Sequence, residues 1–280
     1  MNTDSEWGHR WHATWLIQRR EWRSMIFSWG LYIALSLALL AAILILRNHL
    51  NFVGENGLLV VSGAFTLPLF AVIIVSSLFL ALSSVTTIAR DREQGTMEAL
   101  FYGPIDAFSY VLGKYLAQVA TYLVMVIFYG CCFLFYAGLT NLAFSGGQYL
   151  VLLLSVLIAS NFIVVGIFFS ALSGKVRTAL LLFLGLILVF LAIELGRELV
   201  IATPLQGSYY NPVQFLQNVL SFLSQITAWL SPFSYLSLGM DAVRRGSAGA
   251  YLTILLISTA YTILFLGLSI VTLERKGVRK

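Results

Sequence analysis

Six long apolar runs, separated by short polar stretches, dominate the 280-residue chain. Most approach or exceed the roughly 20 residues that a helix needs to cross the hydrocarbon core of a bilayer. We therefore predict an all-α integral membrane protein with six transmembrane helices. The runs cover approximately residues 29–46, 58–88, 111–139, 149–172, 178–193 and 251–273.

Residues 1–28, which precede the first run, carry aromatic side chains at helical spacing. At about 100° per residue, these side chains form a single stripe, and Arg19 and Arg23 fall outside it. Indole rings favour headgroup depth, and guanidinium groups favour water and anionic lipid. The pattern predicts an amphipathic helix lying on membrane lipid; the alternative is a soluble helix that packs its stripe on a partner. The stripe consists of Trp7, Trp11, Trp15, Trp22, Met25 and Trp29.

Residues 194–250 are too long for a simple connection and too apolar for a soluble loop. Ser231 resembles a helix cap followed by Pro232 in the first turn, and Gly246 is suited to end that helix. We predict a re-entrant helical hairpin that enters the outer leaflet before the last span, with its backbone packed on protein. The alternative is that one or both pieces cross fully, although the charged residues near Gly246 disfavour this for the second piece.

A charged segment, residues 90–114, lies between the second and third runs. It carries seven charged side chains in a chain that is only 10% charged. Gly95 should break the helix that continues from the second run, and Thr96 can cap a new short helix. Asp106 can cap the helix that leads into the third run. The segment thus predicts a short amphipathic helix rigidly linked to two spans.

The distribution of the 17 Lys and Arg residues indicates the orientation. Thirteen of them belong to residues 1–28, the charged segment, the 173–177 turn or the C-terminal tail, which six spans place on one side. The positive-inside rule makes that side the cytoplasm, together with both termini. The basic residues form no contiguous surface, so no nucleic-acid partner is expected. No small-residue cleavage site follows the leader, and we expect the first span to be retained.

Catalytic chemistry has little support in the sequence. Gly113 and Lys114 lack the glycine and hydroxyl that would complete a phosphate-binding loop. The spans carry essentially no ionisable side chains, which disfavours a membrane enzyme or a proton-driven carrier. We expect no catalytic residue and no metal site. At the outer end of the fifth span, Glu194, Arg197 and Glu198 either pair locally or have a role in substrate exit.

The charged segment resembles the signature of the ABC-2 type permease family, the membrane subunits of ATP-driven exporters. Ser109 stands where the family often has an acidic residue. Residues 230–246, LSPFSYLSLGMDAVRRG, are similar to the permease subgroup associated with gliding motility and nitrous-oxide reductase maturation. The matching positions of the signature are Glu93, Gly95, Thr96, Glu98, Leu100, Pro104, Gly113 and Lys114.

The resemblance implies one ABC-2 transmembrane domain over residues 1–280, in the plasma membrane of a prokaryote. Two copies of a separate ABC ATPase would bind ATP and Mg, with no cofactor on this chain. A second permease copy, identical or related, would complete the transporter. Small residues such as Gly30, Gly63, Gly130 and Gly166 are candidates for the contact between the two copies.

The same resemblance places ATPase coupling in residues 89–114. Glu93 and Glu98 would meet basic residues of the ATPase, while Met97, Leu100 and Phe101 would fill a groove on it. Two alternatives remain: a secondary carrier or channel that works without an ATPase, and a membrane anchor or assembly factor. The expected coupling residues are Arg90, Asp91, Arg92, Glu93, Gly95, Thr96, Met97, Glu98, Leu100 and Phe101.

Overall fold

A computed structural model describes residues 3–55, 63–102, 105–140, 142–202 and 210–276. For residues 3–9, 53–55, 98–100, 194, 197–202 and 210–213 it describes the backbone alone. The regular structure in these parts of the chain is helical. The helices are α1 (Thr3–Ile26), α2 (Trp29–Glu55), α3 (Thr66–Glu93), α4 (Thr96–Phe101), α5 (Ala107–Thr140), α6 (Gly146–Leu172), α7 (Val176–Ala202), α8 (Tyr210–Leu230), α9 (Pro232–Arg244) and α10 (Ala248–Lys276).

Six of these helices are long and apolar enough to cross a membrane: α2, α3, α5, α6, α7 and α10. The prediction of an all-helical protein with six spans is therefore confirmed. The predicted start of the second span at residue 58 is too early, because residues 63–65 form a turn before α3 begins. Gly63 has φ +73° there, and its carbonyl accepts from the N–H of Thr66 at 2.9 Å. Pro68 consequently lies in the first turn of α3, where a missing N–H is tolerated.

Helix α6 is the most enclosed of the six spans and packs closely on α3. A Cβ added at Gly166 would lie 2.1 Å from Ser84 Oγ and 2.7 Å from the Ala81 carbonyl. Glycine is needed at this crossing because any side chain would push the two backbones apart. The prediction that Gly166 contacts a second permease copy is therefore wrong, since it faces α3 of its own chain.

Buried side-chain hydrogen bonds also join the spans. Asn161 of α6 donates to Ser258 Oγ at 2.9 Å and accepts from Thr262 Oγ1 at 2.8 Å, both on α10. The hydroxyls of Ser76 on α3 and Tyr129 on α5 lie 2.9 Å apart. In a low-dielectric interior each such group would be costly without its partner, so these pairs specify which helix faces meet.

The two helices between α7 and α10 form the predicted hairpin. Ser231 has the extended conformation of an N-cap and Pro232 follows at the first helical position, although the Ser231 side chain makes no capping bond. Gly246 ends the second helix with φ +66°, as predicted. A Cβ at Gly239 would lie 2.1 Å from Leu154, so α9 is seated directly on α6. The depth of the hairpin in the membrane stays a prediction.

Candidate functional site

Helix α1 is docked on the first turns of α5, and a glycine permits the contact. A Cβ at Gly113 would lie 2.9 Å from the Ile17 side chain and 2.9 Å from the Thr14 carbonyl. Ile17 and Thr14 are both buried in this contact. Gly113, the first residue of the Gly-Lys pair in the charged segment, therefore lets the backbone of α1 approach α5.

Another face of α1 is exposed and carries three tryptophans of the predicted stripe, whereas Met25 packs against the main core and Trp29 belongs to α2. Trp11, Trp15 and Trp22 are exposed, and the Arg19 guanidinium lies 5.3 Å from the ring centre of Trp15. Arg23 is exposed as well. The protein-facing side of α1 is thus not the tryptophan side, and the contact of the indoles with lipid stays a prediction. Trp7 belongs to the helix, but its side chain lies outside the described residues.

A buried charged cluster lies where α1, α3 and α5 meet. Lys114 of α5 is only 2% exposed, and its Nζ lies 2.8 Å from Asp91 Oδ2 of α3. The same Nζ lies 3.1 Å from Glu21 Oε1 of α1. The Tyr110 hydroxyl donates to Asp91 Oδ2 at 2.6 Å, so that carboxylate oxygen has two partners. One ammonium group thereby connects three helices through charge-assisted hydrogen bonds.

A second cation extends this cluster to the surface. Arg20 Nη2 lies 3.0 Å from Glu21 Oε1, and this hydrogen bond holds the pKa of Arg20 above its ordinary value. Lys114, which the sequence places at the end of the charged segment, lies in the second turn of α5. Its charge is tolerated there because two carboxylates compensate it.

The start of α5 is capped as predicted. Asp106 Oδ1 accepts from the backbone N–H of Ser109 at 3.2 Å, which is the N-cap hydrogen bond. Asp106 Oδ2 also lies 3.5 Å from Nε of Arg10 on α1. The Ser109 hydroxyl donates to the Arg10 carbonyl at 3.2 Å. Ser109 therefore ties α5 to the backbone of α1.

The short helix α4 sits directly beside this cluster. Gly95 breaks α3 with φ +70°, as predicted. Thr96 is the first helical residue, and its hydroxyl donates back to the Asp91 carbonyl at 3.0 Å. The predicted capping role of Thr96 is therefore wrong: the unpaired carbonyls at the end of α3 attract its hydroxyl proton instead.

The apolar side chains of α4 that the structure describes turn toward the chain. Met97 is 4% exposed and belongs to the main core. The Phe101 ring centre lies 5.8 Å from that of Tyr110, the tyrosine that binds Asp91. Met97 thus anchors α4 and is not available to a groove on an ATPase, whereas the adjacent Tyr102 is 90% exposed. The side chains of Glu98 and Leu100 lie outside the described residues.

Of the other predicted coupling residues, three contact other helices or turns of the same chain, and one is exposed. Arg92 Nη1 donates to the Ser173 carbonyl at 3.3 Å. Glu93 Oε1 accepts from the Val176 N–H at 2.9 Å and so caps the first turn of α7. Asp91 faces the buried cluster, while Arg90 is exposed. Asp91, Arg92 and Glu93 therefore hold α3 within the protein, and Arg90 remains accessible.

The other predicted site lies near the end of α7. Glu194, Arg197 and Glu198 belong to α7, but their side chains lie outside the described residues, so their exit-side role stays a prediction. Within the described residues no group of three or more His, Cys, Asp or Glu side chains is placed to hold a metal ion.

The sequence did not lead us to Glu21 and Tyr110 as members of the buried charged cluster. It also did not single out Tyr102 as an exposed aromatic side chain at the end of α4. A signal for Glu21 exists, since Thr14, Ile17 and Glu21 follow the spacing of one helix face. That face differs from the tryptophan stripe and also carries Arg10, which pairs with Asp106, and an acidic residue turned toward the protein needs a cation. Its partner could not be read from the sequence, because Lys114 is 93 positions away.

The comparison with protein-family models gives a match to the ABC-2 family transporter protein over residues 84–278. The match includes α3 from Ser84 onward, the charged segment and every later helix, whereas α1 and α2 precede it. The comparison with curated proteins gave no match. The matched region covers more than half of the chain and contains two of the three helices that share the buried cluster. The chain belongs to the ABC-2 family of transporter membrane proteins, a family of transmembrane subunits without an ATPase domain of their own.

Proposed function

We propose that the chain is the permease subunit of an ABC exporter and couples ATP hydrolysis on a separate ATPase chain to export. The observation that carries this proposal is the position of α4. It is a short helix between two spans, packed beside a buried charged cluster that also holds α1. Two permease copies and two ATPase chains would form the transporter, in the plasma membrane of a prokaryote with both termini in the cytoplasm.

A force applied to α4 would reach three helices at once. Met97 anchors α4 in the core, and Phe101 lies on Tyr110. Tyr110 binds Asp91, which shares Lys114 with the carboxylate of α1. Because packed cores and buried ion pairs resist small displacements, α1, α3 and α5 should move as one body. Movement of that body against a second copy would open or close a path between the two permeases.

The accessible surface of this region suits a protein partner. Tyr102 projects from the end of α4, where its side chain is 90% exposed. Tyrosine side chains are among the groups that most often dominate interface energies. Glu98 lies in the first turn of α4 and supplies negative charge by sequence. ATP and Mg would bind on the ATPase chain.

The test is co-purification of the permease with its ATPase, followed by ATP turnover in proteoliposomes. Tyr102→Ala should weaken the complex about tenfold, the effect of losing roughly 1.4 kcal/mol at an interface. Tyr149→Ala is the matched control, because Tyr149 is also exposed but lies in the first turn of α6, which follows the far end of α5. Glu93 is unsuitable as a probe, since its loss would also remove the cap of α7.

The assignment of α4 is wrong if Tyr102→Ala and Glu98→Ala variants bind the ATPase and turn over ATP as the wild type does. Transport by the purified permease without any ATPase would support the carrier or channel alternative. A complex that never changes ATP turnover would support the anchor or assembly alternative. Transport measured in inside-out and right-side-out vesicles would decide the direction.

A further inference from the structure

A polar cavity of about 410 Å³ opens beside the charged cluster, between α1, α3 and α5. Its walls include Arg20 and Ser24 from α1, Arg90 from α3 and Lys114 from α5. Glu21 and Asp91 also line it, and both are ion-paired with Lys114. The cavity therefore contains three cations and two carboxylates, which leaves one uncompensated positive charge.

Arg90 carries that uncompensated charge. In the described part of the chain it has no ion pair, and it lies at the exposed edge of the cavity. Ser24 and Ser28 add hydroxyls to the same wall. An arginine fork beside hydroxyl donors matches the oxygens of a phosphate group. The cavity also fits the depth of lipid headgroups, since Trp22 of α1, the helix that carries Ser24, is exposed.

An apolar groove begins beside this cavity and runs along α2 and α5. Two separate hollows, of about 320 and 220 Å³, lie along it, and Leu39 lines both. The first hollow includes Ile26, which directly follows Met25 of the polar cavity wall. Several of its side chains are exposed, so lipid or protein must cover them in a membrane. The exposed lining side chains include Tyr32, Ile43, Phe128, Phe135 and Leu139.

We propose that the polar cavity and the groove together bind one anionic phospholipid of the leaflet in which α1 lies. Its phosphate would contact Arg90 and Arg20, and an acyl chain would follow the groove between α2 and α5. A polar, positively charged cavity with apolar hollows near it matches an amphiphile with a charged head. The inference goes beyond the permease function, because the lipid would hold α1 and α2 together whatever the transporter exports.

The head contact is tested with the purified chain in a neutral detergent, titrated with phosphatidylglycerol and followed by native mass spectrometry. Arg90→Gln should weaken binding about tenfold or more, the usual loss for a hydrogen bond to a charged group. Arg23→Gln is the matched control, because Arg23 is an exposed arginine of α1 that does not line the cavity. It should change binding less than twofold, and Arg90→Lys should restore part of the loss.

The tail contact is tested with substitutions on α2. Ser36 lines the groove and is exposed, so Ser36→Trp should fill the groove without overpacking the core and should weaken lipid binding severalfold. Leu37→Trp places the same ring on the neighbouring exposed position, which does not line the groove, and should leave binding unchanged.

Three results would overturn the proposal. Phosphatidylcholine with the same acyl chains could bind as tightly as phosphatidylglycerol, which would remove the role of charge. Inorganic phosphate could displace the lipid at equal concentration, which would make the cavity a site for a free anion. Ser36→Trp could leave lipid binding intact and break a permease dimer, which would assign the groove to a second copy of the chain.

Discussion

Lys114→Met is the most direct test of the charged cluster, because it removes the only cation that α1 and α3 share among the described contacts. At an effective dielectric constant of about 20, the contacts at 2.8 and 3.1 Å correspond to about 6 and 5 kcal/mol of attraction. Desolvation of the buried ions offsets most of this, yet removing one partner leaves uncompensated charge and typically costs about 3–5 kcal/mol. We expect that loss, with α1 released from the helix bundle.

The assay is equilibrium unfolding in mixed detergent micelles, compared with Lys175→Met. Lys175 is an exposed lysine in the turn before α7, and its loss should change the free energy of unfolding by less than about 0.5 kcal/mol. Adding Asp91→Leu to Lys114→Met should recover part of the loss, with a coupling energy of about 1–3 kcal/mol. The reasoning is refuted if Lys114→Met unfolds like the Lys175 control, or if the second substitution adds its full cost to the first.

Substitutions at three further contacts, two of them with a control variant, probe other parts of the fold. Gly113→Ala should destabilise the protein by about 1–3 kcal/mol, because its Cβ has no room beside α1. Gly138→Ala, on the same helix but with open space around it, should instead stabilise it by about 0.5–1 kcal/mol. Asn161→Leu should cost about 1–3 kcal/mol, since it removes the donor to the buried Ser258 hydroxyl and leaves Thr262 with the Ser258 carbonyl alone. Glu93→Ala should cost about 0.5–2 kcal/mol by removing the cap at Val176, whereas Glu93→Gln should cost less.

Each of these can be checked by the same unfolding assay. Equal effects of the two glycine substitutions would contradict the close approach of α1. An unchanged Asn161→Leu variant would mean that the α6–α10 contact does not depend on its hydrogen bonds. For Glu93, hydrogen exchange in the first turn of α7 separates a lost cap from a general loss of stability.

Local chemistry made much of the charged segment predictable. Asp106 caps α5 and Gly95 ends α3, because each depends only on backbone groups a few residues away. The spans were predictable for a related reason, since their length and composition follow from the thickness of the bilayer. The start of α3 was missed, because the turn at Gly63 lies inside a continuous apolar run that hydropathy alone reads as helix.

Residues that face inward were harder to assign than residues at helix ends. Met97 and Asp91 lie in a polar segment and were expected to face a partner. Met97 instead packs in the core, and Asp91 pairs with Lys114. Gly166 was expected between two copies and instead marks the crossing of α3 and α6. In each case the residue type was informative, but the surface that it meets depends on how the helices pack.

The sequence by itself determined that the chain is a helical membrane protein, which segments span, and where the charged segment interrupts them. It did so because hydropathy and capping act over distances of one helix or less. Only the tertiary structure decided that Glu21, Asp91 and Lys114 meet, since each comes from a different helix. It also decided that Gly113 is where α1 approaches α5. At the contact between α1, α3 and α5, Lys114 is paired with both carboxylates, because an unpaired charge in this low-dielectric interior would cost too much free energy.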